Sequence, residues 1–236
     1  MNSSMSSSYL VTNSMINDFD FAAVSIQEVL VPKKGGAQGA KIAPVLYKGN
    51  PIKIILGSVE EPVRIPFEIG TFDKNPDAVR VNIVMEVNNS ALQSFFKEFD
   101  ETVVGILTRR SPEFFKKNLS REQVSMCFKP TLNYTPPYTP NVKSKLNIGP
   151  DMNQVNVWDD HGKKTSLPPS FKNMRVVAEL SLRAVWLASN MCGLSLQTEH
   201  IMILHTSEGD NICPFQSMLL NLPMEEAMEE AMEEAR

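Results

Sequence analysis

Tryptophan occurs twice, histidine three times and cysteine three times in 236 residues. The cysteines, Cys127, Cys192 and Cys213, are odd in number and scattered. They form neither a disulfide framework nor a Cys-x-x-Cys clasp, so the chain reads as one with free thiols in a reducing compartment. No run of 18 apolar residues occurs, so no helical membrane span is expected. The opening MNSSMSSSYLVTNSM has no basic stretch followed by an apolar one, so it does not read as a secretory signal. The protein is expected to be intracellular and not secreted.

Catalytic motifs are missing too. Gly-x-Ser-x-Gly is absent, and no Cys/His pair sits in a recognisable local context. The loop GGAQGAK resembles a phosphate loop only loosely, because Lys41 is followed by Ile42 rather than Ser or Thr and the surroundings read as β. In WDDHGKK, Asp159 and Asp160 are adjacent in an extended stretch and point to opposite faces, so an ordinary polar turn is the better reading than a metal site. His200 and His205 likewise fall on opposite faces of a predicted strand. No enzyme, metal or cofactor is expected.

Acid is scarce in three places. Val29–Val59, Gln123–Pro150 and His161–Ala178 contain no Asp or Glu, yet they hold Lys33, Lys34, Lys41, Lys48, Lys53, Lys129, Lys143, Lys145, Lys163, Lys164, Lys172 and Arg175. The formal net charge of -4 hides this, because six Glu sit in residues 221–236. That end carries Met-Glu-Glu-Ala three times. Without those sixteen residues the chain has 22 basic and 21 acidic residues. A surface that faces an anion is implied.

Local patterning places the elements. Residues 1–25 read as a flexible leader. SIQEVLVPKK reads as a strand, and APVLYKGNPIKIIL as a hairpin turning at Lys48–Pro51. VRVNIVMEV alternates, with Val79, Val81, Ile83, Met85 and Val87 on one face. Leu92, Phe95, Phe96, Phe99, Val103, Ile106 and Leu107 recur at spacings of three and four, the stripe of an amphipathic helix capped by Asn88 or Asn89. SPEFFKK restarts a short helix, with Pro112 in its first turn. Prolines 130, 136, 137 and 140 favour extended chain. VNVWDDHGKK reads as strand and turn. MRVVAELSLRAVWLAS and LSLQTEHIMILH read as a large terminal hairpin. Seven to nine strands with one central helix between strand sets suggest an α+β or mainly β class, or a β-barrel with a helical insertion. A single domain over 26–206 is expected, followed by a loosely ordered segment and acidic tail over 207–236.

Aromatic residues alternate with base: Tyr47 with Lys48, Phe67 with Arg64, Phe128 with Lys129, Tyr134 and Tyr138 with Lys143 and Lys145, and Trp186 with Arg183. Stackable rings beside cations are what a single-stranded nucleic acid needs, because its base faces and its phosphates are both exposed. The competing reading is that the rings are core. It holds outright for Phe95, Phe96, Phe99, Phe114 and Phe115, and it is weighed for Trp186, whose strand is apolar on both sides.

The order of short blocks, APVLYKGNPIKI, VRIPF, FFKEFDETVV, SPEFFKK, FKPTL, YTPNVKSKL, VWDDHGK and AELSLRAVWLASNMCGLSLQ, resembles the single-stranded-DNA-binding proteins of large nucleocytoplasmic DNA viruses, those of African swine fever virus and algal viruses. The resemblance spans roughly residues 40–205. It implies an OB-like β-barrel with a central amphipathic helix inserted between strand sets. It also implies sequence-tolerant binding of single-stranded DNA in replication, recombination or repair, without catalysis, in the host nucleus or a cytoplasmic viral factory. The base-plus-aromatic logic then selects Lys33, Lys34, Lys41, Tyr47, Lys53, Arg64, Phe67, Lys129, Tyr134, Tyr138, Lys143, Lys145, Arg183 and Trp186 as DNA contacts. The acidic tail is expected to compete with DNA for the groove, or to recruit replication proteins. A homo-oligomer is compatible with this reading. The alternatives are a viral structural or interaction protein and a single-stranded RNA-binding module.

Overall fold

In the computed structural model, residues 8–30, 41–70, 78–149, 154–188 and 190–204 are described. They build thirteen strands, three α-helices and two short 3₁₀ segments. Two long strands, β12 (Arg175–Leu187) and β13 (Cys192–Leu204), form an antiparallel ladder, as their paired apolar runs predict. Every other strand is arranged around that ladder.

One edge of β12 takes three partners in series: β5 (Val63–Arg64), β4 (Asn50–Leu56) and β3 (Lys41–Tyr47). The β3–β4 turn is two residues long, because Tyr47 pairs with Asn50. Lys48 and Gly49 both take positive φ there (47° and 78°), the geometry in which a tight hairpin matches strand twist. The outer edge of β13 pairs in parallel with β7 (Phe128–Lys129), β9 (Asn141–Asn147) and β10 (Asn156–Trp158). β9 carries β6 (Arg80–Glu86) and β8 (Leu132–Asn133), and β10 carries β11 (Lys164–Thr165). β6 and β5 approach each other without strand pairing; Arg64 and Glu86 bridge them at 3.8 Å. The described sheet is therefore open, where a closed barrel is the expectation.

Register fixes two faces. Val81, Leu146, Thr198, Leu180 and Ile54 lie side by side across five strands and are all buried. Thr198 Oγ1 and Ser144 Oγ satisfy each other at 2.8 Å within that dry layer. One residue along each strand, Asn82, Lys145, Gln197, Ser181 and Lys53 form the row on the opposite, outer face.

Helix α1 (Ser90–Arg109) buries its apolar stripe in the same core, beside β2, β8 and the two 3₁₀ segments. All seven residues of the predicted stripe are buried, and Asn89 Oδ1 caps it by accepting from Leu92 N at 3.1 Å. Asp100 is buried as well, which the apolar stripe does not reveal. It accepts from Thr131 N at 2.7 Å and from Thr131 Oγ1 at 2.6 Å, which ties α1 to the turn between β7 and β8. Helix α2 (Ser111–Phe115) carries Pro112 in its first turn, as read from the sequence. Helix α3 (Arg121–Cys127) is an addition to that reading; its signal was the capping box Ser120-Arg121-Glu122-Gln123.

The flexible leader over 1–25 does not hold for residues 8–25. β1 (Tyr9–Val11) pairs in parallel with β4, and β2 (Val24–Ile26) pairs antiparallel with β3. Phe19 stacks on Tyr47 at 4.3 Å and meets Phe95 edge-on at 5.1 Å, so this segment closes the core with rings. A Ser/Asn-rich composition concealed the three aromatics that anchor it. Residues 35–40 of the GGAQGAK loop and the acidic tail lie outside the described residues. No helix among the described residues is long and apolar enough to cross a membrane.

Candidate nucleic-acid interface

The outer face gathers residues from all three acid-free stretches. From the second come Lys129, Lys143 and Lys145; from the third, Lys164 and Arg175; from the first, Lys53. A polar, charged outer row follows from strand alternation, since the other face is filled by the core and α1.

Carboxylates also reach this face, but the acidic strand residues there are each held by a cation. Lys53 Nζ lies 2.6 Å from Glu179 and 3.0 Å from Glu199. Arg183 Nη2 donates to Glu199 Oε1 at 2.5 Å. Glu86 faces Arg64, whose Nη2 donates to Asn173 Oδ1 at 2.8 Å. With Glu86, Glu179 and Glu199 so engaged, Arg80, Lys129, Lys145 and Lys164 stand as surplus positive charge, and Lys143 and Arg175 are exposed beside them. Arg80 Nε donates to Asn147 Oδ1 at 2.9 Å, two residues from Lys145 on β9. Partial desolvation of its ammonium, and then the nearby Arg80 charge, lower the pKa of Lys145. An anion placed there would relieve that repulsion.

An indole lies at one end of this face. Lys129, Gly193, Trp186 and Ile42 form a cross-strand row. A Cβ on Gly193 would stand 3.0 Å from Trp186 Cζ2 and 3.2 Å from Lys129 O. The glycine therefore lets the indole lie close over the strand, half-exposed, beside an exposed lysine. Competing core burial of Trp186 is only partial.

Other predicted contacts sit elsewhere. Tyr47 is a core residue, 1% exposed, because its position in β3 points inward toward Tyr9 and Phe19; it offers no stacking face. Lys41 is half-buried and pairs with Leu187, on the inward register. Lys53 and Arg183 belong to the carboxylate network just described, and Arg64 to the Glu86–Asn173 group. Phe67 is exposed (60%) in the loop after β5. Tyr134 (63%) and Tyr138 (70%) are exposed on the Pro-rich loop between β8 and β9, at the end of β9 nearest Lys143. Lys33 and Lys34 lie outside the described residues.

The sequence reading singles out Trp186 and passes over Trp158. Trp158 stands on the outer face, with Met202 on one flank and Lys164 on the other. Its Nε1–H donates to His200 Nδ1 at 3.1 Å, and the two rings are parallel within 15°. The signal was available: an aromatic with Lys163 and Lys164 five and six residues further on, the kind of pairing used to pick the other contacts. The adjacent Asp159-Asp160-His161 diverted it toward metal chemistry. In the structure that segment is a turn, with Asp159 Oδ1 accepting from His161 N at 3.1 Å and Lys163 N at 2.8 Å. No cluster of three metal-ligating side chains occurs among the described residues.

No protein-family model matches the chain. No curated protein sequence matches it either. Among solved structures, it is similar to gp2.5, a single-stranded DNA binding protein encoded by bacteriophage T7, at 13% identity and TM-score 0.45, with 66% of this chain and 88% of that chain covered. It is similar too to the single-stranded DNA-binding protein from bacteriophage Enc34 in complex with ssDNA, at 12% identity and TM-score 0.44, covering 76% and 97%. The Enc34 protein in a second structure gives 10% identity and TM-score 0.43, covering 83% and 99%. Both are phage proteins, and at such identities no residue is carried across.

Proposed function

We propose that the protein binds single-stranded DNA without reading its sequence, on the outer face of the open, OB-like sheet. The observation that carries this reading is the pairing of surplus cations on β7, β9 and β6 with a half-exposed indole seated over Gly193. Phosphates would lie along Lys129, Lys145 and Arg80, and bases would face Trp186. Lys53 and Arg183 would contribute little charge, because their own carboxylates already hold them. Exposed Tyr134 and Tyr138 would extend the stacking surface from the neighbouring loop.

The finer reading follows the resemblance in block order: a non-catalytic role in viral DNA replication, recombination or repair, inside an infected cell. The Met-Glu-Glu-Ala repeat supports a tail that competes with DNA at high local concentration and, once displaced, contacts replication proteins.

The test is fluorescence anisotropy with a labelled dT oligomer of about thirty nucleotides, at two salt concentrations, with duplex as control and U oligomer for comparison. The reading requires tight, salt-sensitive dT binding and weak duplex binding. A chain ending at Leu222 should bind more tightly, most of all at low salt. Absence of dT binding at low salt by either chain defeats it.

A further inference from the structure

We propose that Trp158 is a second base-stacking station, so that a bound strand runs along β13 from Trp186 to Trp158. This rests on the single-strand reading above. Trp158 has what such a station needs. It points outward from β10, opposite the side that packs the core, and is only half-buried. Its plane is fixed: His200 Nδ1 accepts its N–H at 3.1 Å, and the rings lie 6.0 Å apart at 15°. His200 Nε2 is in turn 4.0 Å from Glu179 Oε1, within the Lys53 network. A ring held in this way loses little freedom when a base stacks on it. Lys164, its cross-strand partner, and Arg175, two residues before the strand neighbour of Met202, supply positive charge beside it.

The geometry also sets a path. Gly193, beneath Trp186, and Met202, beside Trp158, are nine residues apart on β13. At ~3.3 Å per residue that is about 30 Å, a track for several nucleotides, within the ~4–16 that such domains hold. Between the stations the outer residues are polar and the carboxylates are held by cations, so a polyanion can cross without meeting a free acid.

The chain's two tryptophans make the test direct. Trp186→Phe leaves Trp158 as the sole indole, and Trp158→Phe leaves Trp186. Each full-length variant is titrated with unlabelled dT of thirty nucleotides while indole fluorescence is followed, and binding is measured separately by anisotropy. Quenching in both variants is the expected result. Independently, Trp158→Ala should weaken dT binding about 5- to 150-fold, the equivalent of ~1–3 kcal/mol for one stacked base. If Trp186→Phe binds dT without quenching, and Trp158→Ala binds like the parent, the second station is wrong while the single-strand reading stands. If the parent itself does not bind dT, both fall. Matching far-UV circular dichroism and urea midpoints confirm that the variants are folded.

Discussion

Two rows of residues, one position apart on the same five strands, behave as different materials. Val81, Leu146, Thr198, Leu180 and Ile54 form a dry layer; Asn82, Lys145, Gln197, Ser181 and Lys53 form a polar one. Side-chain period in a strand is two, so a slip of one residue would exchange the layers entirely. The difference teaches that membership of the outer face is decided by parity before it is decided by residue type. Tyr47 and Trp186 are both aromatics within three residues of a basic one, yet Tyr47 falls on the inner parity and Trp186 on the outer.

That contrast gives the largest expected effect. Tyr47→Ala opens a cavity among Tyr9 and Phe19 and should cost ~3–5 kcal/mol of stability, read by urea unfolding. At temperatures where the variant stays folded, its dT affinity should match the parent. Trp186→Ala should do the reverse, lowering dT affinity by ~1–3 kcal/mol with a smaller change in stability. If Tyr47→Ala loses DNA binding while fully folded, the assignment of faces is wrong.

The dryness of the inner side can be sharpened through Asp100. Burial raises its pKa to about 6, against the hydrogen bonds from Thr131, which lower it; the Glu101 charge adds slightly to the rise. A carboxyl whose folded pKa lies above its unfolded value favours folding when protonated. Its contribution is therefore full below about pH 4 and is lost as pH rises through about 6. The swing is on the order of 3 kcal/mol, at ~1.36 kcal/mol per pKa unit. Urea unfolding of the parent and Asp100→Asn between pH 4 and 7 isolates it. The parent's stability relative to the variant should fall between pH 4 and 6 and then level. A flat difference would mean that water reaches Asp100.

Much of this was legible in the chain. The α1 stripe, the alternation of β6 from Val81 to Met85 and the terminal hairpin follow from short-range periodicity; the turn expected over Lys48–Pro51 is tighter, since Asn50 and Pro51 already pair in β4, and Val79 lies outside β6 and is exposed. The acid-free stretches pointed to the strands that supply the outer cations. What stayed hidden depends on partners distant in sequence. Glu179 lies 126 residues from Lys53, and Thr131 lies 31 from Asp100, so neither the neutralised lysine nor the buried acid has a local signature. The anchoring of residues 8–25 depends likewise on Phe19 finding Tyr47 and Phe95 far along the chain. The barrel expectation came from the strand tally and from the resemblance, and pairing between β5 and β6 is what the described sheet lacks.

The smallest effect bears on the outer row itself, where Lys145 and Lys53 stand on the same register line with different company. Lys145 has Arg80 nearby, a like charge, whereas Lys53 has two carboxylates within 3.0 Å. An arriving phosphate gains from the first and little from the second, because binding Lys53 would mean competing with Glu179 and Glu199. Lys145→Met should reduce the magnitude of the slope of log affinity against log salt by ~0.7, the value for one phosphate on a single strand. Removing Lys53 alone would free two carboxylates and repel DNA for a secondary reason. The matched change is therefore Lys53→Met with Glu179→Gln, which deletes one charge of each sign and leaves Glu199 with Arg183. It should leave the salt slope unchanged and alter stability by no more than ~1 kcal/mol, because both partners of a partly exposed pair are removed together. A slope that drops equally in both proteins would mean that the network opens when DNA arrives, and that the two lysines are equivalent despite their neighbours.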